Sequence, residues 1–241
     1  MDNYKFIDEV WALVPARSGS KRLKNKNLKK IKKLSLVARA IINCKKSINI
    51  DRVFLSTNSI KIKNEGLKFK AEVPFLRSKK NSKDSSNDFD VIEEFLKRIM
   101  KIEKKIPNLI IYVRPTSPIR DTFTVDKAIQ KFKNLKNYDS LVSVHEMNEP
   151  VHKKFFIKKN KLRPVFKSLT LDQANNPRQN YKKSYTANGY LDLIKTKNII
   201  SGKNYLGKNC YPFITQSVID IDDHFDFEIA KFLISRANIN V

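Results

Sequence analysis

The strongest constraint on the fold is an alternation of short apolar runs with segments of helical period. Val10–Val14, Arg52–Thr57 (RVFLST), Asn108–Arg114 (NLIIYVR) and Ser140–Val144 (SLVSV) are runs of strand length with few polar breaks. A strand that is apolar at nearly every position is buried on both faces, as in a parallel sheet. Between these runs lie segments whose apolar residues share one helical face. Leu34–Lys46 carries Leu36, Ala40, Ile41 and Cys44, and Asp88–Ile102 carries Val91, Ile92, Phe95, Leu96, Ile99 and Met100. Ile60–Phe69 and Val125–Phe132 read as further helices, and Ala71–Leu76 as a short strand. The alternation specifies an α/β sandwich with a largely parallel sheet.

From Asn148 to Tyr190 the pattern breaks. The stretch is polar, contains Pro150, Pro164 and Pro177, and reads as an inserted lobe or extended arm. Regular signals return at Tyr190–Ile194, Phe213–Ile221 and a closing helix, Phe225–Arg236. At 241 residues, the expected organisation is one domain, 1–241, carrying the lobe at 148–190.

Composition narrows the class. Lys and Arg number 49 against 24 Asp and Glu, a net charge of +25. A nucleic-acid binder is one reading. The other is a chain-wide lysine bias, because the excess is spread along the sequence rather than gathered on one element. Either way the surface attracts anions. The two cysteines, Cys44 and Cys210, support neither a disulfide framework nor a cysteine-ligated zinc. No run approaches the ~20 apolar residues of a membrane span. The first residues lack the basic start of a secretory signal. A cytoplasmic protein that does not enter the membrane is expected.

Three loops placed beyond strand ends carry the chemistry, since ligands of open α/β sheets bind at the carboxyl ends of the strands. In PARSGSKRLKNKN, Ser18, Gly19 and Ser20 allow close backbone approach, and Arg17, Lys21 and Arg22 supply positive charge, with Lys26 and Asn27 in reach. Backbone N–H groups in such a turn cradle phosphate oxygens. A solvated basic turn is the plainer reading. RPTSPIR, Arg114–Arg120, is stiffened by two prolines and offers hydroxyl and guanidinium donors, or is a rigid surface turn. In VIDIDD, Asp220 and Asp222 stand two apart on what reads as a strand, so both leave on one face. The pair is either a site for a divalent metal with phosphate oxygens or a salt-bridged strand end. Cations for phosphates, a rigid donor loop and a carboxylate pair together suit nucleotidyl transfer, which needs alignment and charge stabilisation more than a nucleophile.

The chain resembles the acylneuraminate cytidylyltransferases, the CMP-sialic acid synthetase family, from about Ala12 to Ile234. The resemblance rests on ordered motifs: VPARSGSKRLKNKNL, VFLSTNS, VPFLR, RPTSPIR, SLVSV, NPRQ, ANGYLDL and IDIDDHFDFEIA. It implies a three-layer Rossmann-like nucleotidyltransferase fold with a mostly parallel sheet and a protruding dimerisation arm, here the lobe. The implied reaction transfers CMP from CTP to the anomeric hydroxyl of a nonulosonic sugar acid and releases pyrophosphate. The implied nucleotide residues are Ala16, Arg17, Ser18, Ser20, Lys21, Asn27, Arg77, Pro115 and Thr116. The implied sugar-side residues are Arg114, Ser117, His152, Lys153, Arg178, Gln179, Asn188 and Gly189, with Arg178 on the sugar carboxylate. Asp220 and Asp222 are implied to hold Mg²⁺, and Arg17, Lys21 and Asp222 to be catalytic. The implied partners are CTP, a sugar acid and a second copy of the chain, with no specific nucleic acid.

Three departures from the family pattern fall on the sugar side. Arg114 stands where the family usually has Gln or Leu, the P-x-K lysine is shifted by one to Lys153, and Asp192 stands where a tyrosine is common. An extra cation at Arg114 implies another acidic group or a different sugar. His145 and His224 read as structural, while His152 is placed toward substrate. Cys44 and Trp11 read as core. A synthetase for the eight-carbon sugar acid Kdo is the alternative enzyme, and a non-catalytic RNA-binding protein the alternative class.

Overall fold

The structure, a computed structural model, describes residues 4–202 and 204–236. The expected domain limits, 1 and 241, lie outside them. In chain order come β1 (Lys5–Pro15), a small hairpin of β2 (Lys30–Ile31) and β3 (Leu34–Ser35), α1 (Leu36–Lys46), β4 (Arg52–Ser56), α2 (Ile60–Lys68), α3 (Asp88–Glu103), β5 (Lys105–Tyr112), α4 (Thr122–Lys133) and β6 (Ser140–Glu146). The lobe holds a hairpin, β7 (Phe155–Lys158) with β8 (Lys161–Pro164), and a short helix, α5 (Leu171–Ala174). The chain then returns as β9 (Tyr185–Lys195), α6 (Thr196–Ile200), β10 (Cys210–Ile214) and α7 (His224–Arg236).

The central sheet has six strands in the order β10-β6-β9-β5-β1-β4. The β1–β4, β1–β5 and β6–β10 pairs are parallel, and β9 runs antiparallel to both β5 and β6. Side-chain alternation along β1 sets the layers. Val10, Ala12 and Val14 face a core that includes Val37 and Ile41 of α1 and Ile129 and Phe132 of α4. Trp11 and Leu13 face the opposite core, filled by Ile92, Phe95, Leu96 and Ile99 of α3. The result is the expected α/β fold, helices on both faces of a mostly parallel sheet. The four helices that pack on the sheet from α1 to α4 start on side-chain caps: Ser35, Ser59, Asn87 and Asp121 accept from N–H groups of their first turns.

A third apolar cluster fixes the far end of the chain. Ile221 and the α7 residues Phe227, Ala230 and Ile234 pack on Leu23, Ile31 and Leu36. This docking carries the last acidic segment to the loop that follows β1.

The structure corrects three readings and adds a helix. Ala71–Leu76 makes a single bridge, Glu72 to Phe54, rather than a strand; Pro74 has no N–H to extend it. The strand expected over Phe213–Ile221 ends at Ile214. Val218 and Ile219 pack their side chains on the core from an irregular segment, so apolar content there marks burial without a ladder. The irregular stretch ends earlier than Tyr190, because β9 begins at Tyr185 and Tyr185–Ala187 already pair against β6. The helix α6 was not expected. Among the described residues no helix is long and apolar enough to cross a membrane.

Candidate active site

The loop after β1 is built from the backbone outward. The Ala16 N–H donates to the Ser56 carbonyl at 2.9 Å, tying the start of the loop to the end of β4. The Ser18 N–H donates to Asn58 Oδ1 at 2.8 Å. Buried Asn27 donates from Nδ2 to the Arg17 carbonyl at 2.9 Å and closes the loop on itself. With the backbone so held, the loop presents cations. Arg17 and Lys21 each reach an Asp84 carboxylate oxygen at 2.6 Å.

Opposite stands Asp222. Arg22 contacts its carboxylate at 2.9 Å and Lys26 at 3.3 Å, and Lys26 Nζ also donates to the Ile221 carbonyl at 2.8 Å. The first and last functional segments, two hundred residues apart (Arg22 to Asp222), therefore meet across one space. That space is a cavity of about 480 Å³, lined among others by Arg17, Ser20, Lys21, Asn27, Arg77 and Asp222. Pro115, Thr116 and Arg114 close it from the loop after β5.

Arg77 forms a fixed part of that wall. It is buried, its N–H donates to the Thr57 carbonyl at 2.7 Å, and its guanidinium donates to Ser56 Oγ at 3.0 Å and to the Ser56 carbonyl. Burial lowers its pKa from the ordinary arginine value. Beside it the Tyr112 hydroxyl donates to Asp88 Oδ1 at 2.9 Å, and burial pushes that phenol well above its usual range.

A second cavity of about 420 Å³ adjoins, with Arg114 in its wall as in the first. Its other walls include His145, Asn188, Gly189, Asp192, Tyr205 and Asp220. Gly189 has φ +68, and a Cβ there would sit 3.4 Å from Ser117 Oγ, so the chain turns close against the proline-stiffened loop. Ser117, fully buried, donates to the Gly189 carbonyl at 3.3 Å. Asn188 donates to Thr215 Oγ1 at 2.7 Å and accepts from the Tyr190 N–H at 3.2 Å.

The structure thus brings most of the expected residues to two joined cavities and sets others apart. Ala16 and Ser18 shape the loop, and Ser117 is buried behind the Gly189 turn that it supports; none of the three lines either cavity. Asp220 and Asp222 do not share a strand face: residues 218–223 are irregular, Asp222 lines the first cavity and Asp220 the second. Among the described residues no group of three or more His, Cys, Asp or Glu converges. The donor set still suits a hard cation, which takes one or two carboxylates and completes its shell with phosphate oxygens and water.

His152, Lys153, Arg178 and Gln179 lie in the lobe and line neither cavity of their own chain. His152 is stacked between Phe166 at 4.5 Å and Tyr181 at 5.1 Å. Lys153 donates to the Asn176 carbonyl at 2.7 Å, and the Arg178 guanidinium reaches the Asn148 carbonyl at 3.5 Å. His145, read as structural, lines the second cavity. Asp84, Asp88 and Tyr205 escaped the sequence reading. None sits in a motif, and only tertiary pairing reveals them.

The chain matches the model of the family described as Cytidylyltransferase over residues 11–208. It is 30% identical to a CMP-N,N'-diacetyllegionaminic acid synthase of Campylobacter jejuni, over 96% of this chain and 97% of that protein. It is 28% identical to the Post-translational flagellin modification protein B of Campylobacter coli, over 97% and 98% of the two chains. In fold it is similar to a CMP:2-keto-3-deoxy-manno-octonic acid synthetase solved with CTP, with a TM-score of 0.71 at 13% identity, over 95% of this chain and 100% of that one. A family match that spans both the cation loop and the proline-stiffened loop, with relatives aligned nearly end to end, places this chain in the cytidylyltransferase family, as a nucleotidyltransferase.

Proposed function

We propose that the chain transfers CMP from CTP to the anomeric hydroxyl of a nonulosonic sugar acid and releases pyrophosphate. The observation that carries this reading is the meeting of the Arg17–Asn27 loop and Asp222 across one cavity that shares Arg114 with a second. The first cavity suits the triphosphate. The second has room and hydrogen-bonding walls for a sugar. The legionaminic acid synthase similarity supports the acceptor class.

In the reaction the anomeric hydroxyl oxygen bonds to the α-phosphorus of CTP while the bond from that phosphorus to the bridging oxygen of the β-phosphate breaks. The electron pair leaves with pyrophosphate, and the hydroxyl proton passes to solvent. Arg17, Lys21 and the buried Arg77 offset the charge that grows on the leaving group; preorganised cations in a partly dry site are effective there. Asn27 and Ser20 hold the loop and phosphates in register, and Pro115 and Thr116 wall the nucleotide. Ser117, Asn188 and Gly189 position the sugar. Asp222 with Asp220 would hold Mg²⁺, which when bound neutralises the phosphates and aligns their oxygens. Arg178 and Gln179, with His152 and Lys153, act in the site of a second subunit, the lobe being the arm that crosses a homodimer. The exposed Phe156, Ile157 and Leu162 of the lobe hairpin support this assembly. We place the reaction in the cytoplasm, where CTP is made and where the free Cys44 and Cys210 stay reduced.

The test is pyrophosphate release with CTP, Mg²⁺ and a panel of neuraminic, legionaminic and pseudaminic acids. The substitution Asp222→Asn should leave the melting temperature near wild type and cut turnover by about a hundredfold or more, in line with loss of a charged group at a reacting centre. Turnover near wild type in that variant would reject the assignment.

A further inference from the structure

Arg114 is the side chain common to both cavities, and its surroundings are unusual for a substrate-binding arginine. One guanidinium nitrogen donates to Asp88 Oδ2 at 2.6 Å and the other to Asp192 Oδ2 at 2.8 Å. Each carboxylate is held from behind by a phenol: the Tyr112 hydroxyl donates to Asp88 at 2.9 Å and the Tyr205 hydroxyl to Asp192 at 2.8 Å. The Asp192 side chain is 5% exposed and that of Arg114 25%. The backbone is fixed as well, since buried Arg120 donates to the Arg114 carbonyl at 3.0 Å. Four side chains, Asp88 of α3, Tyr112 of β5, Asp192 of β9 and Tyr205 after α6, therefore surround one guanidinium, two in direct contact and two behind them.

The charge count decides what such a group can recognise. Both terminal nitrogens of Arg114 already meet a carboxylate, so its charge is offset by the two groups in direct contact with it, while Asp220 lies in the wall of the same second cavity. A third carboxylate brought to Arg114 would stand beside Asp88 and Asp192 and meet their repulsion at close range. A guanidinium has five N–H donors, and only one from each terminal nitrogen is needed for Asp88 and Asp192. The others can serve an acceptor that brings no charge.

We propose that Arg114, clamped between Asp88 and Asp192, determines acceptor specificity by donating to an uncharged oxygen of the sugar acid, a hydroxyl or amide carbonyl, and not to its carboxylate. Asp88, Asp192 and Tyr205 are positioning residues that act through it. This inference deepens the reading above and rests on it. Of the two expectations raised by an extra arginine on the sugar side, another acidic group or a different sugar, it favours the second.

The experiment compares Arg114→Gln, which keeps N–H donors without charge, with Arg114→Met, which keeps neither. Sugar and CTP KM are measured separately, and the melting temperature of each variant is followed. An uncharged acceptor predicts a sugar KM within about threefold of wild type for Gln and raised about tenfold or more for Met, the scale of one lost hydrogen bond to a charged donor. The CTP KM should move less than about twofold in both. Asp192→Asn should raise the sugar KM without changing the CTP KM, because it loosens the clamp. If Arg114→Met does not fold, Asp192→Asn decides: a sugar KM unchanged in that variant overturns the inference. A tenfold rise with Gln, or a CTP KM that rises in step with the sugar KM, overturns the inference alone. A wild-type chain that turns over no sugar acid overturns the functional reading and this inference together.

Discussion

Asp84 holds the place that phosphate oxygens are expected to take. Its carboxylate bridges Arg17 and Lys21, and those two cations hold its carboxyl below the ordinary aspartate range, Lys21 first. An acid whose pKa is lowered in the fold keeps its pairing above its unfolded value and loses it as pH falls through the folded one, so the bridge is intact at neutral pH. CTP must displace it. Asp84→Asn should therefore lower the CTP KM by about two- to threefold, the scale of an exposed ion pair, with the sugar KM unchanged. An unchanged or raised CTP KM would show that Asp84 does not compete with the phosphates. At this scale the sequence was legible where residue type and chemistry coincide. Arg17, Lys21, Asn27 and Asp222 stand out by type and position, and Arg77 by the family resemblance alone. Asp84 and Asp88 do not, because a polar loop and the first turn of a helix carry acids for ordinary reasons of solvation and helix-end charge.

Elements were readable where burial is two-sided. The runs in β1, β4 and β5 and the periodicity of α1, α3 and α4 all form at the places their patterns mark, with ends shifted by a few residues. Phe132 shows what such a pattern is worth. It is 1% exposed on α4 and packs into the core that backs the sheet. Phe132→Ala should cost about 3–5 kcal/mol of folding stability, read by chemical denaturation with the slope unchanged. A loss below about 1 kcal/mol would mean the helix repacks freely. The failures are equally physical. Residues 218–223 look like a strand because they are apolar on alternate positions, yet they bury Ile221 against the first loop, and the Ile221 N–H donates to the Thr116 carbonyl of the loop after β5 at 2.8 Å rather than to a neighbouring strand. The first half of β9 is polar because it lies over the site rather than in the core, so its pairing with β6 left no apolar signature.

At the scale of the whole molecule, the lobe residues that miss their own chain's cavities make the assembly testable. An Arg178→Ala chain and an Asp222→Asn chain should each be nearly inactive. Mixed and allowed to exchange subunits, they should recover about a quarter of wild-type activity, because half the dimers are then mixed and each contains one site with both residues intact. No recovery in a mixture shown to exchange would place Arg178 within its own subunit's site. The net charge of +25 is spread over the chain. It favours the approach of an anionic nucleotide but names no partner.

The position of β9 also governs when the molecule becomes a molecule. When β6 leaves the ribosome, neither of the strands that flank it in the finished sheet, β9 and β10, has yet been made. β5 meanwhile waits with one open side, a ladder of unpaired peptide groups exposed to any passing chain. Only after the lobe is synthesised can Tyr185–Lys195 slot between them and join the two halves. The lobe is therefore translated before the sheet that carries it closes.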